Sequence, residues 1–337
     1  MRLAILLLFT GLACGQTWAP EDSGVNVSLR GVGAISRKAA WASGAGGTWL
    51  RTGDGGATWT HGQVPGAGKL DFRALAALDS RTVYLMSIGP GDQSRVYETD
   101  DAGGDWKLVF TNPDAQGFFD GLQFWDSRHG IVLGDAVGGR MTIFTTADGG
   151  AHWTRGKTPP ALEGEGAFAA SNTSLIVRGK KESWFGTGGK GAARVFHSKD
   201  GGKSWTVATT PVRHDSAGAG IFSLAFADAL HGIAVGGDYN KPGVSDHNIA
   251  ITADGGLSWS EPSGAAPGGY RSAVVYVPEA RAWIATGTSG SDVSRDGGQT
   301  WRTFDSGAFN ALAFAARDAG WAVGPKGRIA AIRWTVR

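Results

Sequence analysis

One short phrase recurs along this chain and limits what it can fold into: an Asp followed five residues later by a Trp, with glycines between. It reads "RTGDGGATW" at Asp54 and Trp59, "ETDDAGGDW" at Asp101 and Trp106, and "TTADGGAHW" at Asp148 and Trp153. It returns as "HSKDGGKSW" (Asp200, Trp205), "ITADGGLSW" (Asp254, Trp259) and "VSRDGGQTW" (Asp296, Trp301). Successive copies lie 42 to 54 positions apart. A phosphate loop or a calcium loop would need to occur only once, whereas a period of roughly 40–50 residues marks stacked supersecondary units.

Each unit has the same grammar. The first runs "SLRGVGAI", "AAWASG", "GTWLRT" and, after the Asp turn, "ATWTHG". Four short apolar or alternating segments between Gly-rich turns predict consecutive antiparallel strands. The two glycines of "DGG" tolerate positive φ and so favour a hairpin between the third and fourth. No stretch carries sustained helical periodicity with caps. The chain is therefore expected to be all-β.

Aligned on their opening strands, the units number seven: "RGVGA", "RALAA", "DGLQF", "TSLIV", "FSLAF", "SAVVY" and "NALAF". The third and fifth residues are apolar in all of them, from Val32 and Ala34 to Leu312 and Phe314. The second strands carry a large side chain at one matched place: Trp41, Tyr84, Ile131, Trp184, Ile233, Trp283 and Trp321. The seventh unit stops after three strands and has no Asp turn. The stretch "QTWAPEDSG", beginning at Gln16, supplies a strand with no partners before it. Together the two fragments make one blade. We therefore expect a seven-bladed β-propeller of four-stranded antiparallel blades over residues 16–337, closed by pairing the N- and C-terminal strands, which leaves no open sheet edge.

Composition removes several function classes. A formal charge of +2 with no basic cluster gives no footprint for nucleic acid. The 55 glycines show no three-residue period, so collagen is excluded, and 14 Trp with 42% apolar residues are ample for a core. The start, "MRLAILLLFTGLACGQ", has one Arg, an apolar run too short to span a membrane, and then small residues. Residues 1–15 are thus expected to be a secretory signal peptide, cut after Gly15. The rival is a lipoprotein anchored through Cys14, although Gly11 stands where a lipobox usually has Leu. Either route predicts a periplasmic or secreted protein. The folded part has no cysteine after Cys14, so no disulfide contributes.

The repeated S/T-x-D-x-G-x-x-W pattern resembles the Asp-box, or BNR, repeat of sialidases and related propellers. The phrases "FWDSRHGIVLGD", "FADALHGIAVGGD" and "AARDAGWAVGPKGRI" look more particularly like the photosystem II stability/assembly factor-like family. The resemblance spans nearly the whole chain after Gly15. It implies a seven-bladed propeller and, from the family's photosynthetic members, an assembly chaperone that binds a protein subunit. The repeat is specific for fold and only weakly so for function.

The six Asp residues could suggest metal binding or acid catalysis. Evenly spaced copies, however, sit on separate blades around the rim and cannot converge on one substrate. Asp54, Asp101, Asp148, Asp200, Asp254 and Asp296 are read as structural, each accepting backbone N–H bonds within its hairpin while the Trp packs beneath. Binding is then expected on the opposite face, at loops carried by a rigid scaffold. There the first place of each opening strand holds Arg30, Arg73, Asp120, Thr173, Phe222, Ser272 and Asn310, with Arg271 adjacent. Three arginines at one mouth are similar to the carboxylate-binding triad of sialidases. No "R-I-P" motif precedes the first box, and no Tyr–Glu pair can be assigned to a nucleophile position. The loop "GGDYNKPGVSDHN" (236–248) adds Asp238, Tyr239, Lys241, Asp246 and His247, and "PVRHDSAGAG" adds Arg213, His214 and Asp215. Without tight ligand spacing this loop reads as a recognition loop rather than a metal site.

The candidate binding residues are therefore Arg30, Arg73, Asp120, Arg271, Phe222, Asp238, Tyr239 and His247, with no catalytic residue, metal or cofactor assigned. The expected function is a monomeric, non-enzymatic envelope propeller holding an anionic protein or peptide partner. The alternative is a glycan-active or glycan-binding protein of sialidase type. A convergent acid pair near the arginines would favour the alternative, and an acid-poor mouth the first.

Overall fold

The computed structural model describes residues 14–336, which form seven antiparallel sheets arranged as the blades of a propeller. Blade 1 comprises Leu29–Ala34, Ala40–Gly44, Thr48–Thr52 and Thr60–Gln63; blade 2, Asp71–Ala77, Val83–Ile88, Arg95–Thr99 and Lys107–Thr111. Blade 3 follows with Phe119–Phe124, Gly130–Val137, Arg140–Thr146 and Thr154–Arg155, and blade 4 with Leu175–Arg178, Glu182–Gly186, Arg194–Ser198 and Thr206–Thr209. Blade 5 has Ala219–Phe226, Gly232–Asp238 and Ile249–Thr252, with the short strands Gly188–Gly189 and Glu165–Gly166 added in turn at its inner edge; its outer strand shrinks to a single bridge between Ile251 and Ser260. Blade 6 contains Ala273–Val277, Ala282–Gly287, Gly290–Ser294 and Arg302–Asp305.

Blade 7 joins Ala311–Ala316, Ala319–Val323 and Ile329–Val336 to the N-terminal strand Cys14–Glu21. The register runs from Cys14 opposite Val336 to Glu21 opposite Ile329, so the two ends of the described chain close the ring as expected. The signal-peptide reading falls outside the described residues, apart from Cys14 and Gly15, which continue this strand. Among the described residues no helix is long and apolar enough to cross a membrane.

Seven apolar clusters fill the joints between neighbouring blades. Strand periodicity explains their composition, because alternate side chains must face opposite neighbours. The third residue of every opening strand (Val32, Leu75, Leu122, Leu175, Leu224, Val274 and Leu312) is buried against the preceding blade. The matched second-strand residues Trp41, Tyr84, Ile131, Trp184, Ile233 and Trp321 face the following blade. Trp283 does not. It lies opposite Tyr276 and packs back onto blade 5, while Ile284, opposite Val275, takes the equivalent place against blade 7. A slip of one residue between two apolar neighbours reverses the face while leaving the sequence pattern almost unchanged.

The six Asp turns share one hydrogen-bond plan. The Ser or Thr two residues before each Asp donates its hydroxyl to the carboxylate at 2.8–2.9 Å. The same hydroxyl accepts a glycine N–H at 2.9–3.0 Å. The carboxylate in turn accepts the N–H four residues on at 2.9–3.0 Å. Residues after the Asp take positive φ, from Gly55 at 81° to Ala102 at 67°, which explains the glycines. Each turn's Trp packs on the preceding blade; Trp59 meets Trp321 edge-on at 6.5 Å, and Trp106 meets Trp41 at 6.3 Å. The turns are clasps between blades.

The buried hydroxyl, rather than the exposed carboxylate, is the centre of each clasp. Ser198→Ala is expected to cost about 1–3 kcal/mol, because the buried Gly202 N–H loses its acceptor, and Asp200→Ala only about 1 kcal/mol. Thermal melts of the two variants give the ranking, and the reverse order would refute it. The hydroxyl or imidazole four residues on, followed by the amides, holds Asp54, Asp148, Asp200 and Asp254 down to about 2. Lowered carboxylates stabilise fully above their unfolded value, roughly 4. Their contribution should therefore fade only as pH drops from about 4 to 2.

Candidate functional site

The first place of the opening strands owes its direction to local distortion. In blades 1, 2, 3 and 5 the ladder between first and second strand slips by one residue, leaving Arg30, Arg73, Asp120 and Phe222 as the unpaired residues of four bulges. A bulge leaves one residue outside the alternation and re-aims its side chain. Here four bulges aim into one cavity of about 930 Å³, which Ser272 and Asn310 also line. Each Asp turn joins a third strand to a fourth, so in antiparallel blades it lies at the end opposite to these opening residues.

The cavity has a floor. The linker before blade 4 crosses the centre of the ring and ties down on several blades. Ala169 offers its carbonyl to Arg73 Nη1 at 3.3 Å. Asn172 accepts the Leu75 N–H at 3.0 Å through Oδ1, and its amide donates to the Leu75 carbonyl. Gln123 Nε2 donates to the Asn172 carbonyl at 2.7 Å, and Ser171 Oγ to the Ser272 carbonyl at 2.8 Å. Blades 2, 3 and 6 are thereby bridged across the axis. Above this segment Phe168 stacks on Phe222 at 4.0 Å, and Tyr270 meets Phe222 edge-on at 4.8 Å. The mouth is a cup rather than an open channel.

Charge in the cup is divided. Arg30 and Arg73 stand together, and Asp71 pairs with Arg73 at 2.8 Å. Burial first, and Arg73 second, bring Arg30 down to about 10, so it remains protonated at neutral pH. Its Nε is buried with no hydrogen-bond partner among the described residues. On the blade 3 wall lie Asp120 and Asp135. Burial, then the charge of Asp135, pushes Asp120 well above the usual carboxylate range, while Arg73 pulls it back; burial alone raises Asp135. Glu165 also lines the cup but is committed to Arg194 at 2.5 Å and to the Thr187 hydroxyl at 2.6 Å.

Five of the eight residues singled out in the sequence meet here: Arg30, Arg73, Asp120, Phe222 and Tyr239. Arg271 lies elsewhere. Its side chain is fully buried, with Nε donating to Asp292 at 2.5 Å and Nη1 to Ser289 Oγ at 2.7 Å. Asp238 is buried as well, accepting the Ser216 hydroxyl at 3.0 Å and the Asn240 N–H at 2.9 Å, and so shapes the loop instead of lining the cup. His247, at φ 52°, pairs with Glu261 in a separate groove. Arg213 is spent on Asp215 at 2.9 Å. Among the described residues no group of three His, Cys, Asp or Glu side chains could hold a metal ion.

Sequence reasoning missed Asp135, Phe168 and Tyr270. Tyr270 stands two residues before the matched place and Asp135 lies near the end of a second strand in "VLGDA", so both were within reach of the alignment. Phe168 was not, because its linker has no counterpart in other units.

No protein-family model matches the sequence, and no curated protein matches it. Solved structures do. A structure of YCF48 bound to D1 peptide is similar over 98% of this chain and 99% of that one, with a TM-score of 0.65 and 17% identity. YCF48 from Cyanidioschyzon merolae is similar over 93% of this chain and 98% of that one, at a TM-score of 0.61 and 16% identity. The WD40 β-propeller domain of Doa1 reaches a TM-score of 0.64 at 12% identity, over 95% of this chain and 97% of that one. A YCF48 and a WD40 domain match almost equally well, so at these identities the shared property is the β-propeller architecture.

Proposed function

We propose that the cup is a peptide-binding site and that the protein is a non-enzymatic binding propeller of the cell envelope, an assembly or stability factor for a protein partner. The observation that carries this is the convergence of four bulge residues from different blades on one cup, where Arg30 Nε has no hydrogen-bond partner among the described residues. Arg30 has no carboxylate of its own, and a guanidinium fork suits a peptide carboxyl end or acidic side chain. Phe168 and the exposed Tyr239 offer apolar area for an anchor. The peptide held by the similar YCF48 structure supports the reading, as does the leader-like start of the sequence, which supports the envelope placement.

Asp120 and Asp135 are the acid pair that would favour a glycan-active enzyme. Such chemistry needs one carboxyl protonated and its partner ionised, through environments that push the two apart. Here burial pushes both upward. Asp120 is raised further than Asp135, by the charge of Asp135 as well as by burial, so a glycoside-cleaving pair is the second reading, and turnover of glycoside substrates would favour it.

The test passes a pool of random octapeptides with free carboxyl ends over the immobilised protein and reads the retained fraction by mass spectrometry. A defined subset should be retained, and Arg30→Ala should weaken its binding by about ten- to a hundredfold, the worth of a charged hydrogen bond. Lys199→Ala with Lys203→Ala, on the Asp-turn face, should leave retention unchanged. If Arg30→Ala binds as the parent does while the control fails, the site is on the wrong face.

A further inference from the structure

The blade 3 wall poses a problem that a carboxylate ligand alone does not solve. Asp120 is only 2% exposed, and its Oδ2 has no hydrogen-bond partner among the described residues. Arg73, the nearest cation, commits Nε to Asp71 and Nη1 to the Ala169 carbonyl. Beside it, Asp135 uses Oδ1 to accept the Ala167 N–H at 2.9 Å. Buried polar atoms are nearly always partnered, so an orphaned one facing a cavity asks what completes it. The bulge at Asp120 is a second and independent sign, since it directs this side chain into the cup rather than into a joint between blades. Burial raises both carboxyls, and the charge of Asp135 raises Asp120 further; an acid pair with an unfilled acceptor has a cationic donor as its complement.

The neighbouring blades 1 and 2 ask for the reverse. Arg30 Nε lacks a hydrogen-bond partner among the described residues, and the carboxylate of Asp71 is paired with Arg73 at 2.8 Å. Phe168 of the floor and the exposed Tyr239 beside blade 5 also line the cup. The floor at Ala167–Ala170 stops a strand from passing through, so what enters is the end of a chain.

Resting on the peptide reading above, we infer that the cup takes the last residue of a peptide ending in Lys or Arg. Its terminal carboxylate sits against Arg30, its aliphatic stem lies over Phe168 and Tyr239, and its side-chain cation meets Asp120 and Asp135. Long basic side chains suit this arrangement because their stems bury on apolar surface while the head reaches a polar group.

The same octapeptide pool tests the inference when the last position is read. Lys and Arg should be enriched there at least about tenfold over neutral residues, which corresponds to one charge-assisted contact. An amide-capped pool should lose retention. Asp120→Asn with Asp135→Asn keeps the shape of the carboxyls and removes two buried acids, so its melting temperature should equal or exceed the parent's. That variant should still retain peptides through Arg30 but show no basic preference. Peptides retained without a basic last residue, a basic preference that survives in the double variant, or enrichment at the first position would each overturn the inference and leave the peptide reading standing. Retention of no peptide would overturn both.

Discussion

Removing Gln16–Asp22 should lower the melting temperature by more than about 10 °C, because the segment is the outer strand of blade 7 and the joint that closes the ring. Trp18 alone is a large part of this. It is buried among Phe304, Phe309 and Phe314 at centroid distances of 5.6–6.2 Å, and its indole N–H donates to Ser291 Oγ at 3.0 Å. Truncating a buried Trp costs about 3–5 kcal/mol. The deletion also takes Glu21 from the Trp59 indole, which it accepts at 3.0 Å across the joint with blade 1. In a chain of 337 residues each kcal/mol moves the midpoint by roughly 1.5 °C, so Trp18 accounts for about 5–7 °C and the lost ladder to Ile329–Val336 for the rest. The strand Ile329–Val336 would then present an open edge, and the variant should associate on warming. Calorimetry with light scattering reads both effects. A midpoint within a few degrees of the parent, without association, would mean that the clasp does not hold the ring.

The closure was legible because it follows from counting: six Asp turns, seven opening strands, and two incomplete fragments at the ends. The packing was legible for a similar reason. Val32, Leu75 and their equivalents repeat at a fixed place, and a sheet buried on both faces leaves no other position for them. Two kinds of feature were not. Bulges at Arg30, Arg73, Asp120 and Phe222 arise from register against a partner strand, and one strand's sequence does not show where its partner slips. The floor of the cup comes from a linker without periodicity, whose one informative residue, Asn172, earns its role only from the distant Leu75 backbone. The cup's place in the ring could thus be read from the repeat, and the distribution of charge around it could not.

Arg271 shows the same limit in a form that can be measured. Its neighbour Ser272 holds the matched place and lines the cup, while Arg271, one residue earlier, turns the other way into the blade. There it satisfies Asp292, which also accepts the Thr303 hydroxyl at 2.5 Å and the Gly268 N–H at 3.2 Å, and it donates to the Tyr270 carbonyl at 2.8 Å. Burial lowers the Arg271 pKa, and Asp292 opposes that shift. Arg271→Ala should therefore destabilise the fold by about 3–5 kcal/mol, because it strands a buried carboxylate. Adding Asp292→Asn should recover part of the loss by removing that charge. Peptide retention by the folded fraction of Arg271→Ala should match the parent, whereas Arg30→Ala should retain stability and lose retention. Denaturant melts beside the peptide assay separate the two arginines. An Arg271→Ala protein that melts like the parent but no longer binds would return this residue to the mouth of the cup.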